Sequence, residues 1–182
     1  MTDVTPQNSP TGSGIVAGCF KDLAWIRVQG PGNNRNAPDL ANFLGICAEQ
    51  GVLRYVVDLE ECSLMDSTFM GTLCSHTLKL SARGGRTDVI NANERNRTAL
   101  RKLGLHKLMA LDAEQDTWAR ERLLVAENLS QPIRPVAMDR EEKTEICLEA
   151  HEALVKANVD NLPLFKDVIQ YLKMELGGEP PT

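Results

Sequence analysis

Apolar residues along this chain recur with two periods. Gly14–Phe20 (GIVAGCF) and Leu23–Gly30 (LAWIRVQG) are short apolar runs that read as two strands joined at Lys21-Asp22. The following GPGNNRNAP breaks the pattern and reads as a loop. From Asp39 to Gly51, Leu40, Phe43, Leu44 and Cys47 fall at helical spacing. Residues 53–59 (LRYVVDL) cluster β-branched and apolar side chains and predict a strand. Ser67 to Ala82 predicts a helix stopped by Gly84-Gly85, and RTDVINA another strand. Glu94 to Leu103 predicts a helix ending at Gly104, and residues 107–112 (KLMALD) a last strand. The expected order is β-β-α-β-α-β-α-β. Strands alternating with helices imply right-handed crossovers, so the fold class is α/β with a mixed, largely parallel sheet.

Beyond Asp112 the pattern changes. The stretch EQDTWARERLLVAENLSQPIRP begins helical and ends in a linker punctuated by Pro132 and Pro135. From Asp139 to Ala157, Ile146, Ala150, Leu154 and Ala157 form one helical stripe. From Leu164 to Leu176, Phe165, Val168, Ile169, Leu172 and Leu176 form another, with Asn161-Leu162-Pro163 as its start signal. These predict a C-terminal helical hairpin. Lone amphipathic helices are marginal in water, so the stripes need a partner. Three remain open: each other, the main domain, or a second chain in a homodimer built through these helices. The expected division is a flexible tail over 1–13, a domain over 14–118, a helix and linker over 119–138, and a helical extension over 139–182.

Composition narrows the functions. The 182 residues carry a net charge of -5, which argues against nucleic acid or anionic lipid as a partner of the whole molecule. No apolar run approaches the ~20 residues of a membrane span. MTDVTPQNSPTGSG lacks the pattern of a secretory signal, so the cytoplasm is the expected compartment. The five cysteines (Cys19, Cys47, Cys62, Cys74, Cys147) show no paired spacing, and the three histidines stand apart. Free cysteines are expected, with no metal site and no cofactor. Eight of ten charged residues picked out between Lys79 and Lys107 are basic, whereas from Asp139 onward acids outnumber bases ten to five. Two solvated faces would explain this. So would an acidic tail docked on the basic side of its own domain or a second subunit, with exposed pairs each worth only ~0–1 kcal/mol.

One small polar cluster, Asp66-Ser67-Thr68, sits at a strand-to-helix junction inside LMDSTFMGTL. Capping the helix explains one of the three. A serine nucleophile would need a base in reach. The nearest histidine, His76, lies nine residues along the same helix, on the opposite face and about 13 Å away. No G-x-S-x-G surrounds Ser67, and no glycine-rich phosphate cradle is present, so an enzyme is not expected. Phosphate acceptance fits better, because free amides at a helix N-terminus tolerate the added charge.

At these residues a family resemblance emerges. VVDLEECSLMDSTFMGTL resembles the signature of STAS domains, the fold of bacterial anti-sigma factor antagonists, through Asp58, Met65, Asp66, Ser67, Thr68, Gly71 and Leu73. VINANERNRTALRKLGLHKLMAL resembles the family's later strand, helix and ending, through Leu100, Leu103, Gly104 and Leu105. The resemblance spans about Gly14 to Asp112. It implies that Ser67 is the phosphoacceptor, with Thr68 able to substitute or assist. It implies that Asp66 supports the loop, and that Asp66, Thr68, Phe69 and Met70 form the supporting and partner-contact set. Phe69 departs from the glycine common in the family, and is expected to contact the partner or pack below the loop. The implied partners are a serine kinase acting as anti-sigma factor and a phosphatase, within transcription regulation. The alternative is an unphosphorylated STAS scaffold or ligand sensor in a larger signalling complex.

Overall fold

The computed structural model describes residues 14–111, 117–129 and 132–177. The expected tail over 1–13 lies outside them. In chain order the elements are β1 Gly14–Phe20, β2 Leu23–Gly32, α1 Ala37–Glu49, β3 Arg54–Asp58, β4 Cys62–Met65, α2 Ser67–Ser81, β5 Arg86–Ile90, α3 Glu94–Lys102, β6 Ala110–Leu111, α4 Ala119–Asn128, α5 Arg140–Ala157 and α6 Leu162–Glu175. The sheet runs β1-β2-β3-β5-β6. The β1–β2 pair is an antiparallel hairpin, and the remaining pairs are parallel.

Three details differ from the sequence reading. A short strand, β4, absent from the expected order, pairs with the far end of β2. Its four residues are too few to show a period. The helix α1 begins at Ala37 rather than Asp39, because Pro38 suits a first turn that needs no amide donor. The last strand shrinks to two residues, because Leu105–Lys107 form a 3-10 turn entered through Gly104 at φ 78°.

Strand alternation sends side chains to two cores. Ala24, Ile26, Val28, Tyr55, Val57 and Val89 face the helices α1, α2 and α3. Leu23, Trp25, Val56 and Ile90 face the other way, onto Trp118 and Val125 at and within α4. The Trp118 indole donates to buried Asp88 (3.1 Å), and the Arg54 guanidinium lies 5.7 Å from its ring centre.

The segment after α4 returns past β1. Leu129 fills the space beside Gly18, the Ile133 amide donates to the Ile15 carbonyl (2.8 Å), and the Val136 amide donates to Asp39 (2.8 Å). The chain thereby passes from one face of the sheet to the other. There α5 starts in a capping box made by Asp139 and Glu142. Both expected stripes exist as helices. The α5 stripe finds its partner in the chain's own domain, lying across α2 with Ala150, Ala153 and Leu154 buried, whereas α6 packs mainly on α5. The turn before α6 is pinned by Asn161, whose amide donates to the carbonyls of Leu103 (3.0 Å) and Leu154 (2.8 Å).

Candidate functional site

The backbone around Asp66 is held from three directions. Its amide donates to the Gly32 carbonyl (2.9 Å), tying it to the end of β2. One carboxylate oxygen caps α2 by accepting from the Phe69 amide (2.8 Å), and the other accepts from the Asn34 amide (2.9 Å). The aspartate thus performs the capping that a polar residue at this junction predicts, and also fixes the loop before α1. Asp66→Ala is expected to lower stability by about 1–2 kcal/mol through the lost cap. Urea denaturation would measure this, and loss of the Asn34 bond should appear as faster exchange of that amide.

Ser67 opens the first turn of α2 and is half-buried. Its cover is α5. The Ser67 hydroxyl lies 3.1 Å from Nε2 of His151, a residue 84 positions away. The other ring nitrogen, Nδ1, is 2.7 Å from the Cys147 carbonyl. A carbonyl only accepts, so Nδ1 carries a hydrogen and donates to it, which leaves Nε2 as the ring atom that meets the Ser67 hydroxyl. Phe165 from α6 backs the imidazole edge-on, with centroids 5.1 Å apart. Thr68 is buried, its hydroxyl 3.6 Å from the Cys147 thiol. The premise that no histidine can reach Ser67 is therefore corrected. His76 is indeed remote in sequence geometry, but the hairpin delivers His151.

Phe69 and Met70 are both buried. Phe69 packs below the loop, its ring occupying the space that a side chain at Gly32 would need. It offers no surface to a partner in this conformation, so of its two expected roles the structure carries the packing one. Asp58 is buried too. It accepts from Asn91 (2.8 Å) and the Glu60 amide (3.2 Å), and lies 3.6 Å from Arg27. It shapes the end of β3 and does not reach Ser67.

The α2 face under α5 is a stripe of small and polar residues. Gly71 allows the closest approach, since a side chain there would stand 2.4 Å from the Ala150 carbonyl oxygen. Ser75 and Lys79 both donate to Glu149, so the Lys79–Glu149 pair joins the expected basic and acidic faces. Burial raises the Glu149 pKa, but these two hydrogen bonds and the Lys79 charge outweigh it, leaving the carboxyl below its usual range. Beside it, His76 is pushed down to about 4, first by burial and then by Lys79, with Glu149 pulling the opposite way. The folded protein therefore refuses a proton that the unfolded chain accepts. This stability is complete above pH ~6.5 and is lost as pH falls towards about 4, by up to ~3 kcal/mol. Denaturant titrations across that window should show the fall, and His76→Gln should flatten it.

A cleft of about 440 Å³ opens next to Thr68 and Cys147, between Asn34 and the α5 residues Arg140 and Lys143. Ser67 and His151 are not among its lining residues. The hydroxyl is hydrogen-bonded to an imidazole, and this cleft does not run to it. Sequence spacing had no means of finding His151 or Cys147, because neither belongs to a motif and both lie on a helix outside the domain.

A family model described as "STAS domain" matches residues 16–118. Among solved structures, the anti-sigma factor antagonist SpoIIAA in its unphosphorylated form is similar at 22% identity, with a TM-score of 0.52, over 59% of this chain and 96% of that one. An anti-sigma factor antagonist from Mycobacterium paratuberculosis is similar at 19% identity, with a TM-score of 0.51, over 66% of this chain and 98% of that one. Likeness at these identities concerns the fold.

Proposed function

We propose that this chain, which belongs to the STAS domain family, is a phospho-regulated protein-binding switch of the anti-sigma factor antagonist kind. In this reading Ser67 is the phosphoacceptor, and an ATP-dependent serine kinase acting as anti-sigma factor binds the unphosphorylated form. The observation that carries the reading is the site of Ser67. It lies at the first turn of α2, with its loop held by Asp66. Phosphate there meets the positive end of the helix, so the fold tolerates it. A partner that had packed against a neutral hydroxyl would instead meet ~-1.5 to -2 charges. Asp66 holds the loop, while Thr68 stands next to the acceptor as a second hydroxyl. In this reading the switch occupies 14–118 and a regulatory extension 139–182. A phosphatase would reset it.

Incubation with such a kinase and ATP, followed by intact mass and peptide mapping, tests the assignment. One phosphate on Ser67, absent from Ser67→Ala, is the expected result. Ser67→Ala keeps the Asp66 cap but leaves the buried His151 Nε2 without its partner, so it should stay folded and melt modestly below the wild type. Phosphorylation of the variant at the same stoichiometry would remove Ser67 from the role. An unmodified chain that still captures its partner would favour the scaffold reading.

A further inference from the structure

We infer that the α5–α6 hairpin is a displaceable cover on the partner-docking face of α2, and that it must lift before a kinase reaches Ser67. The inference rests on the phospho-switch reading and adds the regulation of its site. Four observations converge. The Ser67 hydroxyl is engaged by His151, so the atom that would attack a phosphoryl group is hydrogen-bonded to the cover. Thr68, Gly71, Ser75 and Lys79 form one helical stripe of α2, and contacts from α5 reach all four. That stripe is small and polar, so water can satisfy its hydroxyls and ammonium when α5 leaves. A face built solely as core would be apolar. Finally, α5 runs along α2 in an extended contact, but few large apolar side chains of the hairpin are buried in it. Leu154 and Leu172 are its large buried apolar side chains, whereas Leu162, Leu164, Tyr171 and Met174 remain exposed. Elements with few buried apolar contacts open below the global unfolding free energy.

A partner docking on the same stripe competes with α5. Its apparent affinity is then reduced by the fraction of molecules in which the cover is lifted. The buried thiols supply a probe that needs no partner. Cys74 lies under the cover, its thiol 3.4 Å from the Ala153 carbonyl, while Cys62 belongs to β4 and to the domain core. In the full-length native protein, an aromatic disulfide reagent should label Cys74 at least tenfold faster than Cys62. Thr68→Cys, in a Cys19→Ser background, places a thiol beside Cys147 that oxidation can join to it. This lock should slow Cys74 labelling to the Cys62 rate, and reduction should restore it. Equal rates for Cys74 and Cys62 in the unlocked protein would overturn the cover. With a serine kinase of the anti-sigma class and ATP, the reduced variant should be phosphorylated on Ser67 at least tenfold faster than the locked one. Equal phosphorylation rates would also overturn the cover. No phosphate on Ser67 in either form would overturn the switch reading, while the labelling rates still decide the cover.

A different observation carries a second proposal. We propose that Cys19 and Cys47 form a reversible disulfide in the presence of a small-molecule disulfide. Their sulfurs lie 2.7 Å apart, joining β1 to α1 across 28 residues. Cys19 is exposed and Cys47 buried, which assigns the order of events. The Cys19 thiolate attacks oxidised glutathione, whose S–S bond breaks and releases one glutathione thiolate. The Cys47 thiol gives up its proton and attacks the Cys19 sulfur, expelling the second glutathione. Two protein thiols are oxidised and one glutathione disulfide is reduced to two thiols. Treating the reduced full-length protein with oxidised glutathione should remove two hydrogens and link the Cys19 and Cys47 peptides, reversibly with dithiothreitol. Cys19→Ser should abolish the link. A glutathione adduct that persists on Cys19, or five titratable thiols after treatment, would overturn it.

Discussion

Gly71→Val is expected to separate the hairpin from the domain. A side chain at this position would meet the Ala150 carbonyl oxygen at 2.4 Å and the carbonyl carbon at 2.6 Å. Both are helix backbone, so no flexible chain end can yield. Overpacking a tight interface costs about 1–3 kcal/mol and sometimes more. The hairpin buries only a few large apolar groups against that cost. The sheet and α1 to α3 keep their own core, centred on residues such as Ile26, Leu40, Phe69 and Leu100. The expected result is a protein whose amides in α5 and α6 exchange rapidly while β2, β3 and β5 stay protected. Gly71→Ala should show the same effect more weakly. Hydrogen exchange by mass spectrometry would read both, and protection equal to the wild type throughout α5 would show that the close approach at Gly71 does not hold the hairpin.

Trp118→Ala is expected to destabilise the molecule by about 3–5 kcal/mol, the range for truncating a buried large aromatic residue. For a chain of this length that corresponds to a fall in melting temperature of about 10 °C. Trp118 fills the second core with Leu23, Trp25, Val56, Ile90 and Val125. Its indole is also a hydrogen-bond donor to Asp88, a carboxylate 2% exposed, which would be left with Arg86 as its remaining charged partner. This core lies across the sheet from Ser67. The variant should therefore lose stability without changing the excess of Cys74 over Cys62 labelling. Thermal denaturation and the labelling ratio together separate damage to the fold from release of the cover. A melting temperature equal to the wild type would show that α4 does not cover this face of the sheet.

The local pattern alone determined most of the domain. Paired runs around Lys21-Asp22, helical spacing at Leu40, Leu44 and Cys47, and glycines after the second and third helices placed seven of its nine elements without tertiary information. An eighth, the last strand, emerged shorter than expected. Hairpins, helices and glycine stops depend on residues close in sequence, so their signals survive in one chain. The four-residue β4 did not, because its pairing with β2 depends on two strands meeting and not on its own period. The Asp66-Ser67-Thr68 cluster was visible for the same local reason, since a cap and its helix are adjacent. What covers that cluster was decided only by the tertiary structure. The stripe carrying Ala150 and Leu154 said that α5 must be buried but not against what, because an amphipathic face specifies an apolar partner and no address. The address comes from the docking itself: Gly71 lets Ala150 approach, Asn161 anchors the turn at Leu103, and His151 then falls within hydrogen-bond reach of Ser67, 84 residues away.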